Sequence, residues 1–195
     1  MHKLIFLFAL LISLPSEAGT QREEPLSASV QAALHKSVSD GVAPRLVFPT
    51  PADAEIWMSA MSQRMEKRIP DKATRLDFLK TVHYEATRAG LDPQMVLGLI
   101  QVESGFKKYA VSGAGARGYM QVMPFWTRVL GDGDAGKLFH MQTNLRFGCV
   151  ILRHYLDRER GDLFMALGRY NGSRGKDPYP NAVLAARKQW EPRLG

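Results

Sequence analysis

Apolar residues recur at helical spacing through most of this chain. Within residues 53–69, Trp57, Met61 and Met65 stand at i, i+4 and i+8, and the run stops at Ile69-Pro70 because proline bars helical geometry for the residue before it. A second run, from about Lys72 to Ala89, aligns Leu76, Leu79, Val82, His83 and Ala86 on one side and ends at Gly90. Asp92-Pro93 opens a third helix, with aspartate as N-cap and proline in the first turn, and this helix ends near Ser104-Gly105. Pro124 starts a short helix. Further helices fit about 142–158, 162–169 and 179–190, the first with Leu145, Gly148, Leu152 and Tyr155 on one face. The stretch Ser112-Gly113-Ala114-Gly115-Ala116-Arg117-Gly118 predicts turns or small strands. No alternating run is long enough to predict a regular strand, and no internal repeat is present, so the pattern predicts one mainly α domain over residues 53–195.

The first 52 residues read differently. Leu4 to Leu14 is an apolar run of about eleven residues, short of the roughly 20 that a membrane-spanning helix needs. Lys3 before it, Pro15 after it and the small residues Ser16 and Ala18 have the form of a signal peptide cut after Ala18. Residues 1–18 are therefore expected to be removed on export, which implies a periplasmic or wall-associated protein with no membrane span in its mature form. An uncleaved anchor is the alternative, and no cysteine near the cut suggests a lipid anchor. Residues 19–52 are polar and punctuated by proline, with a short helix around Val30 to Val38, and are expected to form a loosely held lead-in.

Composition narrows the picture further. At 45% hydrophobic and 23% charged residues, the chain can bury a real core and is not of the disordered class. Cys149 is the only cysteine, so no internal disulfide is possible, and its apolar surroundings predict a buried structural thiol. A formal charge of +7 implies attraction to polyanions. The basic residues are spread without a dense block, so an anionic wall or membrane surface accounts for the charge and no nucleic acid partner is expected.

One acidic residue stands where an apolar one belongs. Val96, Leu99, Ile100 and Glu103 fall at i, i+3, i+4 and i+7 of the third helix, so Glu103 continues the apolar stripe. Burial disfavours the charged carboxylate, and so does the partial negative charge at a helix C-terminus. A carboxyl kept protonated in this way can donate a proton to a glycosidic oxygen. The competing account is a glutamate bending out to water at a frayed helix end.

The flanking motifs bear on that choice. Ile100-Gln101-Val102-Glu103-Ser104-Gly105-Phe106, then Ala110-Val111-Ser112, Gly115-Ala116-Arg117-Gly118-Tyr119-Met120-Gln121-Val122-Met123-Pro124, and later Tyr170-Asn171-Gly172, resemble in order and spacing the motif series of the soluble lytic transglycosylases. The resemblance runs from about Ala54 to Trp190. It implies a goose-lysozyme-like helical domain with a groove for the peptidoglycan glycan strand, and it places Glu103 on the catalytic position. Ser112, Tyr119, Gln121, Met123, Tyr170 and Asn171 are carried over as substrate-binding residues. Tyr119 where leucine is commoner, and Arg169 where a small residue is frequent, depart from the family pattern. Ser112, Gln121 and Asn171 offer neutral donors and acceptors suited to acetamido and hydroxyl groups, and Tyr170 is expected to orient the acid through a hydrogen bond. Taken singly, Met123 and Tyr119 also read as core residues and Asn171-Gly172 as a turn.

The reaction implied is non-hydrolytic cleavage between N-acetylmuramic acid and N-acetylglucosamine, giving 1,6-anhydromuramic ends, with Glu103 as acid and then base. Most glycosidases use two carboxylates. None lies between Glu103 and Asp132; Glu85, Asp157, Glu159 and Asp162 are the distant alternatives. A hydrolysing muramidase, a non-catalytic wall-binding protein and a nucleic-acid binder are the rival functions. No cofactor is expected, and no metal, since the five histidines show no ligand spacing. Cell-wall or secretion-system proteins are the candidate protein partners.

Overall fold

A computed structural model of the chain describes Gln21 and residues 23–191. The described residues form α1 (Ala28–Ser39), α2 (Pro51–Met65), α3 (Lys72–Arg88), α4 (Pro93–Ser104), α5 (Phe125–Leu130), a 3-10 turn (Ala135–Phe139), α6 (Met141–Arg158), α7 (Leu163–Asn171) and α8 (Pro178–Lys188). The mainly α expectation is met. The Gly-rich stretch makes only isolated antiparallel bridges, Val111 with Arg117 and Arg117 with Val122. The expected signal peptide lies outside the described residues.

Helix starts follow local chemistry. Side chains of Thr50, Asp71, Asp92 and Asp162 accept hydrogen bonds from backbone N–H groups in the first turns of α2, α3, α4 and α7. The apolar stripes meet in one core: Met61 and Met65 from α2, Phe78 and Leu79 from α3, Val96 and Ile100 from α4, Ile151 and Leu152 from α6. Close approach of α4 and α8 depends on Gly98, where an added Cβ would lie 2.6 Å from the backbone nitrogen of Arg187. Arg187 Nε also donates to Asp92 Oδ2 at 2.7 Å, fixing the two helices against each other.

The stretch read as a loosely held lead-in is docked. α1 packs against α5 and α6, with Val38 buried. Trp126 Nε1 donates to Gln21 Oε1 (2.7 Å), Gln31 Nε2 to Val129 O (2.9 Å), Arg88 Nη1 to Asp40 Oδ2 (2.9 Å) and Gln142 Nε2 to Val42 O (2.9 Å). Phe48 stacks on His83 at 4.2 Å. Every partner is distant in sequence, so local composition carried no trace of this docking.

Candidate active site

Glu103 occupies the last full turn of α4, where the stripe that it continues packs against α8. It is 8% exposed, so the account in which it bends out to water fails. The helix then ends sharply: Gly105 and Phe106 take left-handed φ values of 56° and 68°. For Phe106 that conformation costs roughly 1–2 kcal/mol. Its ring is anchored on Phe78 at 6.0 Å and Trp190 at 5.3 Å, and this fixes the exit from the helix just beyond the acid.

Among the described residues, one polar group meets the carboxyl. Tyr179 OH, from the first turn of α8, donates to Glu103 Oε1 at 2.5 Å, while Oε2 has no hydrogen-bond partner among the described residues. Burial pushes the Glu103 carboxyl up from 4.5 to about 8, and the Tyr179 hydrogen bond works against that shift by stabilising the charged form. Among the described residues, no charged neighbour contributes. The Tyr179 phenol is itself held well above its ordinary value by burial and by Glu103, so it remains a donor.

Tyr170 does not hold the acid as the sequence suggested. Its OH donates to Met120 O at 2.8 Å, tying α7 to the loop before Gln121. The two tyrosines differ in origin: Tyr170 closes α7, whereas Tyr179 opens α8 and reaches Glu103 because Gly98 admits α8 so closely. Tyr179 between Pro178 and Pro180 carries no local mark of this role, and only the absence of a nearby partner for its hydroxyl was there to be noticed.

The other motif residues divide between scaffold and surface. Tyr119 is buried, its ring 4.8 Å from that of Phe78, so it packs in the core. Gln121 has a left-handed φ of 49°, and its Nε2 donates to Ala110 O and Gly118 O (3.2 and 2.9 Å), which leaves Oε1 to offer as an acceptor. Ser112 is half-buried, and its Oγ accepts from Ala116 N at 3.1 Å. Met123 is partly buried against the core, and Asn171 Nδ2 donates to Ser173 Oγ at 3.0 Å. Asn144, which the sequence did not single out, organises this loop: it accepts from Met120 N (2.8 Å) and donates to Arg117 O (2.8 Å) and Leu138 O (2.9 Å). Gly118 is required beside it, since a Cβ there would lie 2.4 Å from Asn144 Nδ2.

The distant carboxylates are engaged elsewhere. Glu85 is buried against Arg146 (2.8 Å), Asp157 pairs with Arg153, Asp162 caps α7, and Glu159 pairs with Arg169 and Arg174. Arg169 also reaches Glu24 of the lead-in at 3.3 Å, which gives this departure from the family pattern a structural use. A cavity of about 390 Å³ between α1, α3 and α6, lined by Leu34, Arg88 and His154, does not include Glu103. No group of three or more His, Cys, Asp or Glu side chains among the described residues is placed to hold a metal ion.

The chain is similar to several known proteins. Residues 80–189, which contain Glu103, Gln121, Tyr170 and Tyr179, match the family model described as the transglycosylase SLT domain. A transglycosylase of Enterobacteria phage PRD1 is 36% identical over 97 residues, 50% of this chain and 35% of its own. The membrane-bound lytic murein transglycosylase C of Actinobacillus pleuropneumoniae is 49% identical over 83 residues, 38% of this chain and 23% of its own. This chain therefore spans only about a third or less of the length of these relatives. Among solved structures, an inactive mutant of the lytic transglycosylase Slt from Pseudomonas aeruginosa aligns with a TM-score of 0.45 and 15% identity, covering 84% of this chain and 41% of that one.

Proposed function

This chain belongs to the transglycosylase SLT domain family, and on that premise we propose that it cleaves peptidoglycan glycan strands between N-acetylmuramic acid and N-acetylglucosamine without consuming water. The observation that carries this proposal is Glu103, buried without a charged partner and held up to about 8, hence protonated at neutral pH. Its proton passes to the glycosidic oxygen as the bond from that oxygen to the anomeric carbon breaks. The resulting carboxylate takes the proton of the sugar's C6 hydroxyl as that oxygen bonds to the anomeric carbon, which closes the 1,6-anhydro ring and returns the proton to Glu103. Between the two steps, the substrate's acetamido oxygen supports the electron-poor carbon, and the Tyr179 hydroxyl stabilises the carboxylate.

Engagement of Glu85, Asp157, Glu159 and Asp162 in ion pairs or a helix cap supports a single catalytic carboxylate. Ser112, the Gln121 carbonyl, Met123 and Asn171 are assigned to the sugar-binding surface beside it, with Tyr119 and Tyr170 as its support. Residues 1–18 are assigned as an export signal and residues 53–195 as the catalytic domain, which places the protein in the periplasm or at the wall.

Mass spectrometry of purified peptidoglycan after digestion, run beside Glu103→Gln, tests the reaction. Muropeptides one water lighter than hydrolysis products, absent from the variant digest, are expected. Reducing ends in their place would make the protein a hydrolysing muramidase, and an uncut wall would favour a binding role.

A further inference from the structure

Large apolar side chains of the described residues are bare at few places, and two of them adjoin. Tyr109 is 70% exposed and Val111 59%. Both lie on the segment between the helix of Glu103 and the turn that bears Ser112. That segment is fastened to the motif loop: Gly118 N and Gln121 Nε2 donate to Ala110 O at 2.9 and 3.2 Å, and Val111 bridges Arg117. Its position relative to the loop carrying Gln121 is therefore fixed.

The Tyr109 ring leans on half-buried Phe139, with centroids 5.8 Å apart and planes at 48°. Lys108 Nζ lies 5.1 Å from the Tyr109 centroid and the Arg117 guanidinium 5.6 Å from that of Phe139. Arg117 is held in turn by a 2.8 Å hydrogen bond to Ala135 O. Lys107 is exposed next in the chain. An aromatic pair kept in place outside the core, with a cation over each ring, Tyr109 still 70% exposed, and continuous with the motif loop, suits a ligand ring with an apolar face that carries anionic substituents.

We propose that Tyr109 and Phe139 form a stacking platform for a sugar ring of the glycan strand outside the scissile pair, with Lys107 and Lys108 meeting the carboxylates of the stem peptides on that strand. Sugar rings present C–H faces that pack on aromatic rings, and the exposed Lys107 and Lys108 supply the charge complement of the peptides. This platform rests on the function proposed above and extends it to the part of the substrate that does not react.

Co-sedimentation with insoluble peptidoglycan tests it, using full-length protein carrying Glu103→Gln so that the substrate is not consumed. Adding Tyr109→Ala is expected to weaken binding roughly three- to tenfold with an unchanged melting temperature, since the side chain is exposed, and Tyr109→Phe is expected to bind as the parent does. Lys108→Glu is expected to weaken binding to peptide-bearing strands and not to strands stripped of peptides by an amidase. Tyr109→Ala binding as tightly as the parent would overturn the platform, and an equal effect of Lys108→Glu on both substrates would overturn the role given to the lysines. If the active protein cleaves peptidoglycan in either case, the proposed function stands by itself. Failure to cleave would overturn the proposed function and the platform with it.

Discussion

Glu103, where α4 meets α8, and Glu159, between α6 and α7, are both largely withdrawn from solvent, yet their surroundings move them in opposite directions. Around Glu103 the fold supplies apolar side chains and one uncharged hydroxyl, and the carboxyl rises to about 8. Around Glu159 it supplies Arg174, which donates to both oxygens at 2.8 and 2.9 Å, and Arg169, and the carboxyl falls to about 2. Burial makes a proton donor only where no cation is admitted. Glu85, in the core, likewise has an arginine against it, Arg146. Arginines thus hold the other withdrawn glutamates, Glu85 and Glu159, and the absence of a cation beside its carboxyl reserves Glu103 for chemistry.

The largest effect that would break this contrast is on stability. Below about 4.5, the ordinary value, Glu103 is protonated both folded and unfolded. Between about 4.5 and about 8 the unfolded chain ionises while the folded one keeps its proton, so stability falls as pH rises and levels off above 8. Glu103→Gln carries no such titration and can still accept from Tyr179. It is therefore expected to be more stable than the parent by on the order of 4 kcal/mol above pH 8 and equal to it below pH 4.5. Chemical denaturation across that range checks this, and a constant difference at every pH would show that Glu103 is not held protonated by the fold.

Sequence periodicity located Glu103 because Val96, Leu99 and Ile100, whose buried stripe it continues, share its helix. Local spacing is enough for that. Tyr179 was not legible, since its meeting with Glu103 spans 76 residues and depends on Gly98 letting α8 come close. Tyr170, inside a recognisable motif, drew the assignment that belongs to Tyr179. The same limit explains the lead-in. Its polar, proline-broken composition describes a segment without a core of its own, and says nothing of Trp126, Arg88 or Gln142 waiting on the domain to bind it. Tyr119 and Gln121 show a third case: the motif identifies them, but only three-dimensional contacts reveal that one is core and the other is largely committed to backbone carbonyls.

Tyr179→Phe sharpens the comparison by removing the hydroxyl that donates to Glu103. The hydroxyl stabilises the charged form, so its loss moves the carboxyl further above 8, and the basic limb of the pH–rate profile is expected to shift to higher pH. The rate is expected to drop roughly 10- to 100-fold, the worth of a hydrogen bond to a charged group. Tyr170→Phe loses a bond to Met120 O instead, and is expected to leave that limb where the parent has it. An identical limb for Tyr179→Phe and the parent would assign the 2.5 Å contact to packing alone.

Glu159→Gln tests the opposite member of the pair, and its expected effect is the smallest. Because the carboxyl is lowered from 4.5 to about 2, chiefly by the Arg174 hydrogen bonds, its contribution is fully present above about pH 4.5 and is lost as pH falls through 2. Arg174 is 48% exposed, so solvent screens the pair and the cost at neutral pH is expected to be about 1 kcal/mol. Arg169 and Arg158 both pair with Glu24, so the loss is also expected to loosen the lead-in there, read as faster amide exchange or proteolysis near residue 24. The parent and the Gln variant should converge in stability toward pH 2, whereas Glu103→Gln and its parent converge below 4.5 and separate as the pH rises. Opposite pH trends for two glutamate-to-glutamine changes in one protein would follow from the presence of arginine beside one carboxyl and its absence beside the other.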